Sequence, residues 1–512
     1  MHELPTDLRE VLLANAAALD AWNHAVGPER VHLLGRGCQA GGHPSAACSA
    51  NAGGVGGRPA PTLLLARMQA PRQHTQVAAR SNRLPTKSVR EYTLRDEVHL
   101  EDMTPTEPCC TIGFVPLFDR ATRTEGSPAA YTEDSFTFLN RAAGEFWERI
   151  RVELNAWFAD YETCAPPQKA ADLRARFRGA DPRQHLPAWW ELYLFRLLRL
   201  SVPTGTVEPE PERSSAATSP DFMVTGGAVG RAKLYVEAVQ PVTGIADKDR
   251  HPRREAPILD AINEIDNRNF FVHVAAIRVG EERPKKTSFI GPIKVWLETL
   301  DPDRVQEDYE RSRTLPGRVF SGPNWKIELR AIPRAPGKRS RRARLIGMGP
   351  MTSGYVNDVA DVRSALGRKR SHYGDLDGPF IVAAMPSFHF DFESAADVFY
   401  GSQAISFPID DPESAVSVRK PDGFWGPGSS RVSAALIGPG VLPWTIAKTS
   451  PTLWLNPFAA QPLPTSWLPV PYVRVAEDGP PRVVHPPTGP AALFRLPEDW
   501  PGPEPRFADE TT

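Results

Sequence analysis

Three acidic residues stand on segments of the chain that are otherwise apolar. Glu191 is the one acid in AWWELYLFRLLRL, Asp221 follows the proline of PDFMV, and Glu237 lies within KLYVEAV. Burying a carboxylate without a partner is costly, so acids at such positions favour a shared cation. Oxygen ligands that converge on Mg²⁺ let it activate water and screen the charge of a phosphate. The trio therefore predicts a Mg²⁺ site, with all three acids as metal ligands and catalytic residues.

The order of these acids resembles the PD-(D/E)xK, or restriction-endonuclease-like, superfamily. In that superfamily one acid sits on a helix packed against the sheet and a second ends one strand of a hairpin. The third lies on the next strand, with a lysine two residues further on. Residues 131–300 also resemble uncharacterised bacterial proteins that share a W-E-L-Y-L helix, a P-D-F strand and a V-E-A strand. The resemblance implies a Mg²⁺-dependent nuclease that acts on DNA or RNA.

The lysine of the superfamily pattern is missing, because Val239 stands two residues after Glu237. Strand alternation puts Lys233 and Val239 on the face of Glu237, so Lys233 is a candidate helper residue for catalysis. Lys369, on a later predicted helix, is another candidate if the fold brings it to the acids. The missing lysine also favours an alternative, a catalytically inactive version of the fold that serves as a binding or structural module.

A purely structural interpretation of the three acids also stays open. Glu191 can pair with a neighbouring cation, and Asp221 can simply begin a strand after Pro220. Glu237 can pair with an arginine such as Arg231. An unrelated α/β protein without a metal would fit these roles. The alternatives differ in geometry, since a shared metal requires the three carboxyl groups within about 6 Å of a common point.

Other motifs carry weaker signals. His389 and Asp391 in FHFDFE could bind a metal from one strand face, but a structural role is favoured for so short a pair. The basic run Lys338–Arg344 adds phosphate affinity only if it flanks the acids. The glycines of TGGAVG lie between two strands rather than before a helix, which predicts a turn and not a phosphate loop.

Composition limits the classes of partner and compartment. Lysine plus arginine (60) balances aspartate plus glutamate (61), so any affinity for nucleic acid must come from a local patch. No stretch approaches the roughly 20 apolar residues of a membrane span, and no secretory signal is evident, which predicts a cytoplasmic protein without membrane contact. The 5 cysteines are odd in number and lack C-x-x-C spacing, which indicates free thiols.

Strands that alternate with helices predict an α/β fold, a mixed sheet flanked by helices. Residues 91–300 are expected to form the nuclease-like core, and 301–440 a second α/β region packed on it. Residues 441–512 are rich in proline and tryptophan, and we expect an extended arm there because proline is excluded from helices and central strands.

The N-terminal part follows a different pattern. Residues 1–26 predict a short amphipathic helix, which resembles the tail of the OmpD-associated, or bacteriocin-protection, family. The tryptophan and arginine-rich helix that continue that family are missing here. Residues 27–90 are dominated by Gly, Pro, Ala and Arg without apolar period, which predicts a disordered linker. We further hypothesise that the stretch 28–75 is a frameshifted or mis-joined translation.

Overall fold

A computed structural model describes most of the chain from residue 115 onwards. The described residues are 115–211, 218–241, 252–282, 284–339, 343–348, 358–370, 372–373, 376–406, 416–474, 481–503 and 505. The predictions for residues 1–26 and 27–90, including the shifted reading frame, lie outside them. Within these ranges, no helix is both long and apolar enough to cross a membrane.

Helices occupy both halves of the described chain. They are α1 (Ser135–Arg141), α2 (Glu145–Cys164), α3 (Pro167–Phe177), α4 (Pro182–Ser201), α5 (Pro252–Asn263), α6 (Thr287–Glu298), α7 (Pro302–Ser312), α8 (Asp358–Lys369), α9 (Phe392–Tyr400) and α10 (Pro490–Phe494). Helix α4 begins where the Asp181 side chain accepts a hydrogen bond from the Arg183 amide, with Pro182 in the first turn.

Strands alternate with these helices, as the sequence predicts. They are β1 (Thr206–Pro209), β2 (Phe222–Thr225), β3 (Lys233–Val239), β4 (Phe270–Arg278), β5 (Gly317–Gly322), β6 (Trp325–Pro333), β7 (Ile346–Met348), β8 (Phe380–Ala384), β9 (Gln403–Ser406), β10 (Val416–Arg419), β11 (Ala434–Ile437), β12 (Thr452–Leu455), β13 (Tyr472–Arg474) and β14 (Arg482–Val484).

The main sheet is mixed and has the order β1-β2-β3-β8-β11-β12-β13-β14. Strands β1, β2 and β3 form an antiparallel meander. Strand β8 lies parallel to β3 and to β11, and all residues of β8 and β11 are buried. Continuous burial explains why these strands are apolar runs rather than alternating ones.

Helices cover both faces of this sheet. On one face Leu234 and Val236 of β3 join a core with the large side chains of α2 and α4. On the other face Tyr235 and Val239 join a core with α8 and α9. The predicted architecture, a mixed sheet flanked by helices, is confirmed at this level.

A second sheet has the order β5-β6-β4-β7 and its own hydrophobic core. The apolar faces of α5, α6 and α7 pack against alternating residues of β6, which buries Trp325, Ile327 and Leu329. All of these elements lie between β3 and α8 along the chain. We call residues 252–348 the inserted layer.

The sheets divide the chain differently from the boundary expected at residue 300. Strand β4 pairs with β6 and β7 in the inserted layer, whereas β8 and β11 belong to the main sheet beside β3. The C-terminal segment is also more regular than an extended arm, since β12, β13 and β14 continue the main sheet. Its prolines flank these strands, and the strand Thr452–Leu455 is free of proline and buries Leu453 and Trp454.

Candidate functional site

A tight hairpin brings two of the predicted acids together. In the antiparallel register of β2 and β3, Phe222 faces Val236, so the next step places Asp221 opposite Glu237. The chain reverses through a 3-10 turn at Gly227–Val229, where Gly226 and Gly227 adopt φ of 80° and 57°. Positive φ is readily adopted only by glycine, which explains the TGGAVG motif as turn chemistry.

Backbone hydrogen bonds fix the two acids against each other. The amide of Asp221 donates to Oε2 of Glu237 at 3.3 Å, and the amide of Ala238 donates to Oδ2 of Asp221 at 2.6 Å. Glu237 is buried at 2% exposure. Each carboxylate of the pair is therefore held by a backbone amide of the opposite strand segment.

Helix α8 supplies a cation to this pair. Ala365 and Leu366 of α8 are buried against the sheet, and Lys369 follows them at helical spacing on the same face. The Nζ of Lys369 donates to Oε1 of Glu237. The hydroxyl of Tyr373 donates a further hydrogen bond to Glu237. The side chain of Lys369 is 33% exposed, so the cluster is open to solvent on that side.

The charges of this cluster perturb its titrating groups. Burial raises the pKa of Asp221 well above its usual range, and the negative charges of Glu237 and Glu191 raise it further. The Ala238 amide and Lys369 oppose that change. Burial and the carboxylate of Glu237 also raise the pKa of Tyr373, which keeps its hydroxyl protonated.

Glu191 approaches from the opposite side of the sheet and has a partner of its own. Both terminal nitrogens of Arg176, on α3, donate to the two Glu191 oxygens at 2.7 Å. Burial raises the pKa of Glu191 despite this pairing, with smaller contributions from Glu210 and Glu237. Glu191 thus influences the Asp221–Glu237 pair electrostatically, but it is held by a bidentate contact with arginine.

The structure brings together two carboxylates and one lysine rather than three carboxylates. In the part of the chain that is described, no group of three or more His, Cys, Asp and Glu side chains is arranged to hold a metal ion. Proteins often bind Mg²⁺ through only one or two carboxylates, with water and substrate phosphate completing the shell. Asp221 and Glu237 fit that mode of binding, and a three-carboxylate site that includes Glu191 stays a prediction.

Lys233, the other predicted helper, is engaged elsewhere. Its Nζ lies 2.7 Å from Oδ2 of Asp377, and the hydroxyl of Tyr235 donates to the other oxygen of the same carboxylate at 2.5 Å. Tyr235 stands between Lys233 and Glu237 on their shared strand face, which separates this exposed pair from the buried acids.

Described residues of two other motifs have local partners. Asp391 caps the start of α9 by accepting a hydrogen bond from Ser394, so FHFDFE is not a strand with two ligands on one face. In the basic run, Arg339 pairs with Asp303 at 2.7 Å, and residues 340–342 lie outside the described ranges.

The sequence did not identify the partner residues in two contacts at the site. The Arg176–Glu191 pair joins neighbouring helices, and the Tyr373–Glu237 hydrogen bond joins a loop to a distant strand. Neither has a local spacing signal. The position of Lys369, one turn beyond the buried Leu366, is the one signal in the sequence that points from α8 towards the sheet.

Comparison with known proteins adds no relative to this picture. No protein-family model matches the chain, and no curated protein or solved structure is significantly similar to it.

Proposed function

We propose that this protein is a Mg²⁺-dependent nuclease with a restriction-endonuclease-like core, in which Asp221 and Glu237 form the acidic pair and Lys369 replaces the missing lysine. The observation that carries the proposal is the contact between Lys369 and Glu237. It supplies the cation that Val239 cannot, beside the acid that the superfamily pattern identifies. The order of helix acid, hairpin acid and strand acid supports the same assignment.

The chemistry follows from the roles of these side chains. A Mg²⁺ ion held by Asp221 and Glu237 would activate water and screen charge on the scissile phosphate. Lys369 lies beside the carboxylates on a side that is open to solvent, where it can orient water or stabilise charge that develops on the phosphate. Tyr373 holds the Glu237 carboxylate in one orientation through its hydrogen bond.

Glu191 has a positioning role in this proposal. Its carboxylate raises the pKa of Asp221, which strengthens the demand for a cation at the acidic pair. It is not among the metal ligands in this proposal, because it forms a bidentate contact with Arg176 on the face of the sheet opposite to Lys369.

The second candidate function is an inactive version of the same fold that binds nucleic acid. The observation that favours it is the charge balance of the cluster, since Lys369 already neutralises Glu237 without a metal. Such a module would bind nucleic acid without cutting it.

A nicking assay on the full chain separates these functions. Supercoiled and single-stranded DNA are incubated with Mg²⁺ or Mn²⁺ and the wild type, Glu237→Gln or Lys369→Met. We expect metal-dependent cleavage that falls about 100-fold or more in both variants, in line with the loss of a charged group from a site of phosphoryl chemistry.

Lys233→Met is the matched control, because Lys233 stands on the same strand face as Glu237 but pairs with Asp377. It should cleave like the wild type. Equal cleavage by the wild type and all variants would indicate a contaminating nuclease and refute the assignment. Folded protein that binds DNA but does not cut it would establish the inactive module instead.

A further inference from the structure

A groove lined by arginines lies in the inserted layer, away from the acidic pair in sequence. Its volume is about 630 Å³. It is formed where the end of α7 meets the edge strand β5 and its neighbour β6. We call it the arginine groove, and its lining residues are Tyr309, Arg313, Thr314, Leu315, Gly317, Arg318, Val319, Glu328 and Arg330.

Strand alternation explains why the groove is polar. The residues of β6 that face the helices are buried, while Glu328 and Arg330 point to the other face. Arg330 is exposed there and lies 3.5 Å from Glu328. On β5, Arg318 pairs in register with Leu329 and so lies on the helix side of the sheet, with its guanidinium 5.7 Å from the ring centre of Phe320. The groove therefore runs around the edge strand β5, from the end of α7 to the face that carries Arg330.

Arg313 holds an unusual backbone position. It ends α7 in the left-handed conformation, with φ of 56°, and its amide donates a hydrogen bond to the carbonyl oxygen of Tyr309. Glycine or asparagine is favoured at such a cap, because a larger side chain is strained there. Glycine would therefore serve equally well as the cap. The guanidinium of Arg313 lies 5.8 Å from the ring centre of Tyr309 in the groove.

The groove has an excess of positive charge. It contains three guanidinium groups and one carboxylate, Glu328. Among the described residues, neither Arg313 nor Arg318 forms an ion pair with a carboxylate, so both keep their hydrogen-bond donors for a ligand. The whole chain carries a net charge of only −1, so this excess is a local feature and not a property of the surface as a whole.

The chemistry of the groove matches a phosphodiester backbone. Guanidinium groups bind phosphate oxygens through paired hydrogen bonds, and a tyrosine ring can stack on a base. The inserted layer also connects β3, which carries Glu237, to α8, which carries Lys369. A substrate held by this layer would thus be bound by the segment that lies between Glu237 and Lys369 along the chain.

We infer that the arginine groove binds the sugar–phosphate backbone of single-stranded nucleic acid through Arg313, Arg318 and Arg330. This inference rests on the proposed function for the identity of the substrate. It adds a binding surface that is distinct in sequence from the acidic pair.

The test is fluorescence anisotropy with a labelled single-stranded oligonucleotide and the full chain, without divalent metal so that no cleavage occurs. The variant Arg313→Gln/Arg318→Gln/Arg330→Gln should bind at least 10-fold more weakly at low salt, and the slope of log affinity against log salt should fall by about 2. The control variant Arg268→Gln/Lys294→Gln/Arg304→Gln removes the same charge from exposed positions of the inserted layer outside the groove. It should bind nearly as the wild type does.

A second variant guards against a folding defect. Arg313→Asn keeps a residue suited to the left-handed cap, so it should unfold at the same temperature as the wild type or higher and still bind the oligonucleotide less tightly. Equal affinities for the groove and control variants would overturn the inference. The inference would also be overturned if inorganic phosphate raised the unfolding temperature of the protein while the oligonucleotide did not bind.

The two proposals fail separately in these experiments. Loss of binding in the groove variant, with no cleavage by the wild type in the metal-dependent assay, would support the groove as a nucleic-acid binding site and refute the nuclease. Cleavage that depends on Lys369, with equal binding by the groove and control variants, would support the nuclease function and refute the groove as a binding site.

Discussion

The contact between Lys369 and Glu237 makes a quantitative prediction about stability. The Glu237 side chain is 3% exposed and that of Lys369 is 33% exposed, so removing the lysine leaves a buried carboxylate without its cation. Breaking a fully buried pair in this way costs about 3–5 kcal/mol, and partial exposure of the lysine reduces the expected cost of Lys369→Met to about 2–3 kcal/mol. Adding Glu237→Gln removes the stranded charge, so we expect a coupling energy of about 2 kcal/mol between the two positions.

A double-mutant cycle measures this coupling. The free energy of unfolding in urea is obtained from circular dichroism for the wild type, Lys369→Met, Glu237→Gln and the double variant. The cycle of Lys233→Met and Asp377→Asn is the control, because this lysine–aspartate pair is 40% and 63% exposed. We expect a smaller coupling there, since water screens exposed charges. A coupling for Lys369 and Glu237 no larger than the control would refute the buried pair as described.

Two other pairs of measurements test the electrostatics of the acids. Arg176→Met should destabilise the fold by about 2–4 kcal/mol, because Glu191, which is 15% exposed, loses both of its hydrogen-bond donors. The control is Arg183→Met, which removes an exposed arginine from its pair with Asp181 and should leave the urea midpoint unchanged. Equal shifts of the urea midpoint in the two variants would contradict this role for Arg176. The pKa of Asp221 is raised in the folded state, so its stability contribution is complete below the ordinary value of 3.8 and is lost as pH rises towards the folded pKa. Asp221→Asn, which cannot ionise, should therefore gain stability relative to the wild type as pH rises above 3.8. A difference in urea midpoint between the variant and the wild type that is the same in acidic and neutral buffer would contradict the raised pKa.

Local patterns in the sequence predicted the elements that carry the acids. The run KLYVEAV matches β3 in full, and the glycines after PDFMV marked the turn that sets Asp221 opposite Glu237. Alternation along β3 also placed Val239 on the face that packs against α8. These features depend on neighbours along the chain, so periodicity and turn chemistry were sufficient.

The partners of the acids depend on contacts between distant segments. Nothing in the spacing of Arg176 and Glu191 indicates that α3 and α4 would join them, and parallel pairing of β8 with β3 has no hairpin to mark it. The same reason explains why the two sheets do not divide at residue 300. Strands β4 and β8 are both apolar runs, and only the tertiary fold decides which sheet each one joins.

The inserted layer has a consequence for how the site forms during folding. Lys369 and Glu237 are separated by 132 positions along the chain, and closing a flexible loop of that length costs about 4 kcal/mol of chain entropy. A layer that folds on its own core first brings its two ends towards fixed positions and reduces that cost. The ion pair would then be among the last long-range contacts to form, so its appearance would report that both sheets are already assembled.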